Sequence, residues 1–469
     1  MTSGTDHSAA ATLPTPAPTF SSNLRRIVPL AWPVLIGQLA VLSFATVDVV
    51  LVARFAAADL AALAVGGAAY ITVFIGFMGV VLAVGPIAGQ FFGAGRHADA
   101  GRQVHQAVWI ALAMSVLGST LLVFPAPFLA LAQATPEVGE KVRGYLLALA
   151  FSLPAALLFS VYRGFNNAVS RPKAVMLLQL GGLALKVPLS TLLVFGAPSI
   201  GLPAMGVVGC GIATAIAMWT QLIVAGLIIR RDPFYNPFQI MGRGLDAPDK
   251  AALLAQLKLG IPMGAAILIE VTGFAFMALF IARIGTMEVA GHQVAINLAS
   301  LLFMVPMAIG NASGTLVAQR IGAADGADAR RLAWHGLGFG VAVAAVLGSV
   351  IWSLRESVLG LYTNDPVVLA AALPLITWLL LFHLADAAQI ITAFILRAYR
   401  IATVPVLIYV AALWGVGLGG GYLLAFNVSG NVPASLQGAP GYWFAATVGL
   451  VVAGVALTSY LAWVLRKTQ

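Results

Sequence analysis

Four ionisable residues lie inside long apolar stretches of this 469-residue sequence: Asp48, Lys186, Glu270 and Asp386. A charge at the centre of a bilayer costs at least about 2.5–3.5 kcal/mol, so such residues face an aqueous cavity or pair with one another. A buried carboxyl group can exchange a proton, and a carboxylate can also hold a monovalent cation with neighbouring oxygens. The three carboxylates together therefore favour ion coupling over the alternative that they only join helices.

Two polar residues flank the last of these carboxylates. His383 and Gln389 stand three residues before and after Asp386, which places all three near one face of a helix. Gln389 is a candidate to share the site of Asp386. For His383 we favour a satisfied polar residue over a role in coupling.

The composition determines which elements position these residues. The sequence is 61% hydrophobic and 9% charged, whereas soluble domains carry about 25% charged residues. A soluble fold is thereby excluded, and the apolar stretches are long enough for membrane-spanning helices. We predict an all-α polytopic membrane protein with twelve spans, at approximately 27–53, 60–84, 104–124, 143–162, 174–196, 205–229, 257–282, 289–318, 332–354, 369–394, 401–426 and 442–465.

The basic residues predict the topology. With both termini assigned to the cytoplasm, 19 of the 25 lysines and arginines fall on the cytoplasmic side, five on the other side, and Lys186 inside a span. Short cytoplasmic loops carry such an excess. The net charge of +9 is thus explained by topology and by contact with the lipid bilayer, and nucleic-acid binding has no support.

The sequence repeats itself at an offset of 229 residues. Gln90 aligns with Gln319 and Asp99 with Asp328, among other pairs. Six spans per half give two copies of the same orientation, related by an axis along the membrane normal, with a cleft between them suited to alternating access. We therefore predict two pseudo-symmetric six-helix lobes around a central cleft. The predicted regions are a disordered cytoplasmic tail (1–24), an N-lobe (25–230), an inter-lobe linker (231–256) and a C-lobe (257–469).

Several functions lack their motifs. The sequence has no phosphate-binding loop, no HExxH and no GxSxG, so we expect no cofactor and no ATP-driven step, and the energy must come from an ion gradient. The single cysteine, Cys210, excludes a disulfide framework and a cysteine-based metal cluster. It suits a small packing residue.

The sequence resembles the NorM branch of the bacterial MATE (multidrug and toxic compound extrusion) transporters across nearly all of positions 25–465. The segments that carry the resemblance are Pro33-Val-Leu-Ile, Thr46-Val-Asp48, Val104-His-Gln106, the stretch 206–215, Glu270-Val-Thr272, His292-Gln-Val-Ala-Ile-Asn297, the stretch 303–310 and Ala385-Asp-Ala-Ala-Gln389.

The resemblance implies two six-helix bundles around a cleft and the export of cationic amphipathic drugs in exchange for Na⁺ or H⁺. By position, Glu270 and Asp386 look like the cation-binding carboxylates of the second lobe, with Na⁺ as a possible ligand. Asp48 looks like the essential aspartate of the first lobe. Asp365 stands where some relatives contact drug, although a helix cap is an equally good interpretation.

The sequence departs from the family pattern in the fifth span. Lys186 and Ser190 stand where relatives carry an Asn and a second polar residue near the first-lobe aspartate. An ammonium group beside Asp48 would stabilise that carboxylate and compete with a free cation. The hypothesis is that an Asp48–Lys186 pair weakens or replaces the first-lobe ion site, leaving coupling to Glu270 and Asp386.

The leading expectation is a monomeric secondary antiporter, not an enzyme, in the bacterial inner membrane, with small cationic drug-like substrates. One alternative is a lipid-linked oligosaccharide flippase of the same fold. Such flippases line the cleft with several basic residues, whereas Lys186 is the only one that the sequence places inside a span. Another alternative is an intramembrane enzyme, for which the GxGD setting of such proteases is missing.

Overall fold

The computed structural model describes residues 18–133, 135–242 and 244–467. Within these ranges, twelve helices are long and apolar enough to cross a membrane, which confirms the predicted number. In chain order, spans 1 to 12 are Phe20–Phe55, Ala57–Gly93, His97–Val123, Pro136–Ala168, Pro172–Phe195, Gly206–Arg231, Lys250–Ala282, Thr286–Gly322, Gly326–Ser353, Pro366–Ala398, Thr403–Ala425 and Ala439–Lys467.

Two of the predicted region boundaries fall inside helices. Span 1 begins at Phe20, capped by the hydroxyl of Thr19, so residues 20–24 of the predicted tail are helical. Residues 1–17 of that tail lie outside the described residues. Span 7 begins at Lys250, so the last residues of the predicted linker are helical as well.

Two spans are interrupted. Span 2 consists of the helices Ala57–Val81 and Val84–Gly93. Span 11 contains a widened π-helical segment, Val410–Gly419, between Thr403–Tyr409 and Gly420–Ala425. A π-helical turn is rare and often occurs at a functional site. Shorter helices outside the spans are Ala126–Ala132, Pro198–Ile200, Pro233–Phe238, Arg355–Tyr362 and Ala434–Leu436.

One helix lies at the centre of each six-helix lobe. Span 4 packs against spans 2, 3 and 6, and span 10 packs against spans 8, 9 and 12. Spans 4 and 10 occupy equivalent places in the internal repeat, so each lobe is organised around the same element. Their buried faces bring spans 4 and 10 to the boundary between the lobes, where both line a shared cavity.

The lobes contact each other from the middle of the bundle to the face where span 1 begins and span 12 ends, here called the terminal face. Spans 2 and 7 cross at Gly79, where a Cβ atom would lie 2.5 Å from the Cα of Gly264. Nearer the terminal face, Arg26 forms an ion pair with Asp328 at 2.9 Å. These contacts hold the lobes together at the terminal face.

The segment between the lobes is attached to span 3. His105 Nε2 hydrogen-bonds the carbonyl of Ile240 at 2.8 Å, and Gln106 Nε2 donates to the carbonyl of Ala247 at 3.0 Å. Trp109 Nε1 donates to a third linker carbonyl at 2.9 Å. The Val104-His-Gln motif noted in the sequence thus fixes the linker to the N-lobe.

Candidate functional site

A cavity of about 520 Å³ lies between the two lobes. Its walls are mostly apolar and include several aromatic and methionine side chains, which adapt to irregular apolar ligands. The apolar residues of this kind are Met78, Met263, Phe274, Phe303, Met304, Met307, Phe382 and Phe394. The charged residues that line the cavity are Arg163, Glu270, Asp386 and Arg397.

Two of the predicted carboxylates form a cluster on the C-lobe wall. Gln389 Nε2 donates to Asp386 Oδ1 at 2.9 Å and approaches Glu270 Oε1 at 3.4 Å. The hydroxyl of Tyr409 donates to the Gln389 amide oxygen. Gln389 therefore bridges spans 7 and 10, as its position beside Asp386 in the sequence suggests, and Tyr409 of span 11 orients its amide.

The π-helical segment of span 11 supports this cluster on two sides. Tyr409 immediately precedes the segment, and Trp414 lies inside it. Trp414 Nε1 donates to the carbonyl of Ile269, the residue before Glu270, at 3.0 Å. Two side chains of one short segment thus hold both the bridging amide and the backbone beside Glu270.

Asp48 and Lys186 form a separate buried pair in the N-lobe. Lys186 Nζ donates to Asp48 Oδ2 at 2.8 Å and to Thr214 Oγ1 at 2.5 Å, and it lies 5.1 Å from the centre of the Phe44 ring. An ammonium group has three donors. Two carry hydrogen bonds, and the ring face stabilises the remaining charge. The predicted pairing of Lys186 with Asp48 is therefore present in the structure.

The N-lobe pair is distinct from the central cavity. Neither Asp48 nor Lys186 is among the cavity-lining residues. The second carboxylate oxygen of Asp48 and the hydroxyl of Ser190 are buried without a hydrogen-bond partner among the described residues. The four charges predicted inside spans thus separate into one neutralised pair away from the cavity and one pair of carboxylates on the cavity wall.

Two other candidates lie away from the carboxylate cluster. His383 is buried, and its Nε2 atom has no hydrogen-bond partner in the part of the chain that the structure describes. Asp365 is exposed and accepts a hydrogen bond from the backbone of Val367 at 2.8 Å, as the N-cap of span 10. For Asp365 the structure shows the helix cap, and the residue does not line the cavity.

The predicted spans 143–162 and 369–394 leave Arg163 and Arg397 in the adjoining loops, among the 19 basic residues counted on the cytoplasmic side, and the structure corrects these bounds. Both lie inside spans, Arg163 in span 4 and Arg397 in span 10, and both line the cavity. Each falls within six residues of a span end, where a long side chain can turn either towards solvent or towards a cavity. Their presence also removes the argument that Lys186 is the only basic residue available to the cleft.

The carboxylate cluster can bind a small cation. Among the described residues no group of three or more His, Cys, Asp or Glu is placed to hold a metal ion. The two carboxylates supply negative charge and oxygen acceptors for Na⁺ or a proton, and the NH2 group of Gln389 holds them together. The cluster lies on the cavity wall, so an ion and an organic cation would meet the same charges.

Known proteins share both the sequence and the fold. The family described as MatE matches residues 33–192 and 262–423. The chain is similar to "Probable multidrug resistance protein NorM" of Aromatoleum aromaticum, with 39% identity over 463 residues, 98% of this chain and 99% of the relative. The protein of the same name from Chromobacterium violaceum is 36% identical over 444 residues, 94% of each chain.

A solved structure described as the outward-facing conformation of a multidrug resistance MATE family transporter has a TM-score of 0.85 at 15% identity. The alignment covers 95% of this chain and 96% of that one. At this identity the likeness shows the fold, two six-helix lobes around a cleft. The family match covers more than half of the sequence and the relatives align along nearly all of it, so the chain belongs to the MatE family as a NorM-type transporter and is not an enzyme.

Proposed function

We propose that this transporter is a multidrug efflux antiporter that exports amphipathic organic cations in exchange for Na⁺ or H⁺. One observation carries the proposal: the cavity between the lobes has apolar walls and a pair of carboxylates, Glu270 and Asp386, joined by Gln389. The apolar walls suit the body of an amphipathic compound, and the carboxylates suit its positive charge. Two relatives are named as probable multidrug resistance proteins, which agrees with this role.

The exchange follows from the sharing of one cluster. An ion bound to Glu270 and Asp386 neutralises the charge that attracts an organic cation, so the two ligands exclude each other. The ion can shift the protein between states only as far as its affinity for those states differs. Binding of the ion from outside then releases the substrate outside, and loss of the ion inside restores the negative cluster.

The charge distribution supports an orientation with the terminal face in the cytoplasm. Without Arg163 and Arg397, seventeen basic residues remain on the side of the terminal face and five on the other. This excess follows the rule for bacterial inner-membrane proteins. The lobes contact each other at the terminal face, through Arg26 and Asp328 among others, which corresponds to a state closed to the cytoplasm.

The N-lobe pair has a different proposed role. Lys186 pairs with Asp48 and takes the place of a free cation there. Ion coupling therefore depends on the C-lobe carboxylates alone. We propose a monomer as the functional unit, because both carboxylates and the whole cavity lining come from one chain.

Transport by purified protein in liposomes tests the proposal. The full chain is reconstituted, the liposomes are loaded with the ethyl ester of rhodamine B, a permanent organic cation, and a Na⁺ gradient or a pH gradient is imposed singly. We expect one gradient to accelerate dye movement, and Asp386→Asn to abolish the acceleration. Glu356→Gln, which changes an exposed acid outside the spans, is the matched control. A rate of dye movement that is the same with and without each gradient would contradict antiport.

A further inference from the structure

Arg163 brings a positive charge to the N-lobe wall of the cavity with few acceptors around it. Its Nη1 atom lies 3.5 Å from the amide oxygen of Gln38, and its Nη2 atom lies 2.9 Å from the sulfur of Met78. No carboxylate lies within ion-pair distance of this guanidinium among the residues that the structure describes. A guanidinium group has five N–H donors. Arg163 therefore faces the cavity with most of its donor capacity unused.

The neighbours of Arg163 fix its direction without neutralising it. Gln38 belongs to span 1, Met78 to span 2 and Arg163 to span 4, so three helices of one lobe meet at this side chain. A thioether sulfur and a long contact to an amide oxygen are weak acceptors compared with a carboxylate. The site orients a guanidinium, and no carboxylate in the part of the chain that the structure describes pairs with it.

The opposite wall of the cavity carries the opposite charge. Glu270 and Asp386 line the C-lobe side, together with Arg397, whose guanidinium stacks 4.8 Å from the centre of the Phe394 ring. Among the described residues of the N-lobe, Arg163 is the only charged one that lines the cavity. The cavity is therefore electrically asymmetric, with a lone cation on one wall and, on the other, two carboxylates whose charge Arg397 offsets only in part.

We propose that Arg163 binds the carboxylate of zwitterionic substrates whose cationic end lies at Glu270 and Asp386. This inference rests on the proposed function and narrows its substrate class. A substrate carboxylate offers the guanidinium a two-pronged hydrogen bond in a partly desolvated cavity, which is the geometry that arginine recognises best. A compound with only a positive charge leaves Arg163 unpaired and is repelled by it. Arg163 then acts as a specificity-determining residue for amphiphiles that carry both charges.

A matched pair of dyes tests this proposal. Rhodamine B is a zwitterion, and its ethyl ester has the same ring cation without the carboxylate. We expect purified wild-type protein to bind rhodamine B at least as tightly as the ester, as measured by fluorescence anisotropy. Arg163→Gln should weaken rhodamine B binding about tenfold, the effect of one charge-assisted hydrogen bond. Binding of the ester should stay constant or improve.

Controls separate this inference from a structural effect. Arg231→Gln removes an exposed arginine at the end of span 6 and should change neither dye. Arg163→Lys keeps the positive charge but loses the planar guanidinium that donates two parallel hydrogen bonds. Its affinity for rhodamine B should lie between those of wild type and Arg163→Gln. If Arg163→Gln does not fold, Arg163→Lys is used instead. It should still weaken the binding of rhodamine B more than that of the ester.

The possible results are distinguishable from failure of the proposed function. Equal weakening of both dyes, or tighter binding of the ester by wild type, overturns the role of Arg163. If Arg163 instead holds a free inorganic anion, ester binding depends on Arg163 and on added chloride, which also overturns it. Export of neither dye by wild-type protein under either gradient would contradict the proposed function itself.

Discussion

Gln90 and Gln319 make equivalent contacts across the boundary between the lobes. Gln90 Nε2 donates to the carbonyl of Ala398 at the end of span 10, at 2.8 Å. Gln319 Nε2 donates to the carbonyl of Ala168 at the end of span 4, at 2.7 Å. Each glutamine thus caps the central helix of the opposite lobe at the terminal face. The two halves of the internal repeat therefore close the terminal face with a symmetric pair of hydrogen bonds. Both bonds must break before the cavity can open to that side.

Two glycines, Gly93 and Gly322, let spans 2 and 8 approach each other at the terminal face. Replacing either glycine should favour the state that is open at this face. A Cβ atom at Gly93 would lie 1.8 Å from the carbonyl oxygen of Gln319, and one at Gly322 would lie 1.8 Å from that of Gln90. Overpacking of this kind costs about 1–3 kcal/mol. We expect Gly93→Ala and Gly322→Ala each to lower the ratio of closed to open protein at the terminal face by about tenfold, since 1.4 kcal/mol corresponds to that factor in an equilibrium constant.

Spin-label distances measure this change. Arg231 and Arg466 are exposed at the terminal ends of spans 6 and 12, and the native Cys210 is buried, so labels can be placed on Arg231→Cys and Arg466→Cys. Longer distances are expected in both glycine variants. Gly67→Ala in span 2 has open space around the added carbon and should leave the distances unchanged. Identical distances in all variants would show that this closure does not limit opening.

The buried Asp48–Lys186 pair predicts that removing Lys186 adds an ion sensitivity to that of the C-lobe carboxylates. Lys186→Asn removes the tethered cation and leaves a buried carboxylate, at a cost of about 3–5 kcal/mol. Added Na⁺ or acid can then satisfy Asp48, and a ligand at a hundred times its Kd restores about 2.7 kcal/mol. The melting temperature of Lys186→Asn should therefore be lower than that of wild type and should rise with one of these ions by more than that of wild type does.

The double variant Asp48→Asn with Lys186→Asn is the control for this experiment. It removes both charges of the pair, so the additional ion sensitivity should disappear. Transport by Lys186→Asn is a second measurement. Without Lys186, Asp48 can bind an ion, which should alter the ion preference or the pH dependence of efflux. A Lys186→Asn protein with unchanged ion preference and unchanged pH dependence would refute the idea that Lys186 replaces an ion site.

Tyr409 should tune the carboxylate cluster without lining the cavity. Tyr409→Phe removes the donor to the Gln389 amide oxygen and leaves that buried acceptor unpaired, which costs about 1–3 kcal/mol. Gln389 then loses its fixed orientation between Glu270 and Asp386, so we expect the coupling ion to bind about tenfold more weakly. The measurement is the ion concentration that gives half-maximal transport.

Tyr442 provides a matched control for this variant. Its hydroxyl is buried without a hydrogen-bond partner among the described residues. Tyr442→Phe should therefore leave the half-maximal ion concentration unchanged and should not lower the folding stability. If the two phenylalanine variants behave alike, the bond between Tyr409 and Gln389 has no role in ion binding.

The sequence predicts the fold well because one physical rule governs it. Burial of a charge in a bilayer is costly, so apolar stretches mark the twelve spans, and the few charges inside them mark Asp48, Lys186, Glu270 and Asp386. Helical periodicity also places Gln389 beside Asp386, and in the structure the two side chains form a hydrogen bond. These features depend on local sequence and on spacing along one helix.

The features that the sequence misses depend on contacts between helices. Arg163 and Arg397 stand near span ends, where hydropathy cannot tell whether a long side chain turns to solvent or to a cavity. The bond from Tyr409 to Gln389 joins spans 10 and 11 through a π-helical segment whose glycine-rich sequence is visible, but whose partners are not. The symmetric role of Gln90 and Gln319 follows from the repeat only when the lobes are seen together.

The central claim is that ion and organic cation compete for Glu270 and Asp386. The most direct test is the Kd of the ethyl ester of rhodamine B for purified full-length protein, measured by fluorescence anisotropy across a range of Na⁺ concentrations and, separately, of pH. We predict that the Kd rises in proportion to the concentration of one ion, and that Asp386→Asn removes this dependence. A Kd that stays constant under both series, in wild-type protein that binds the dye, would contradict the account.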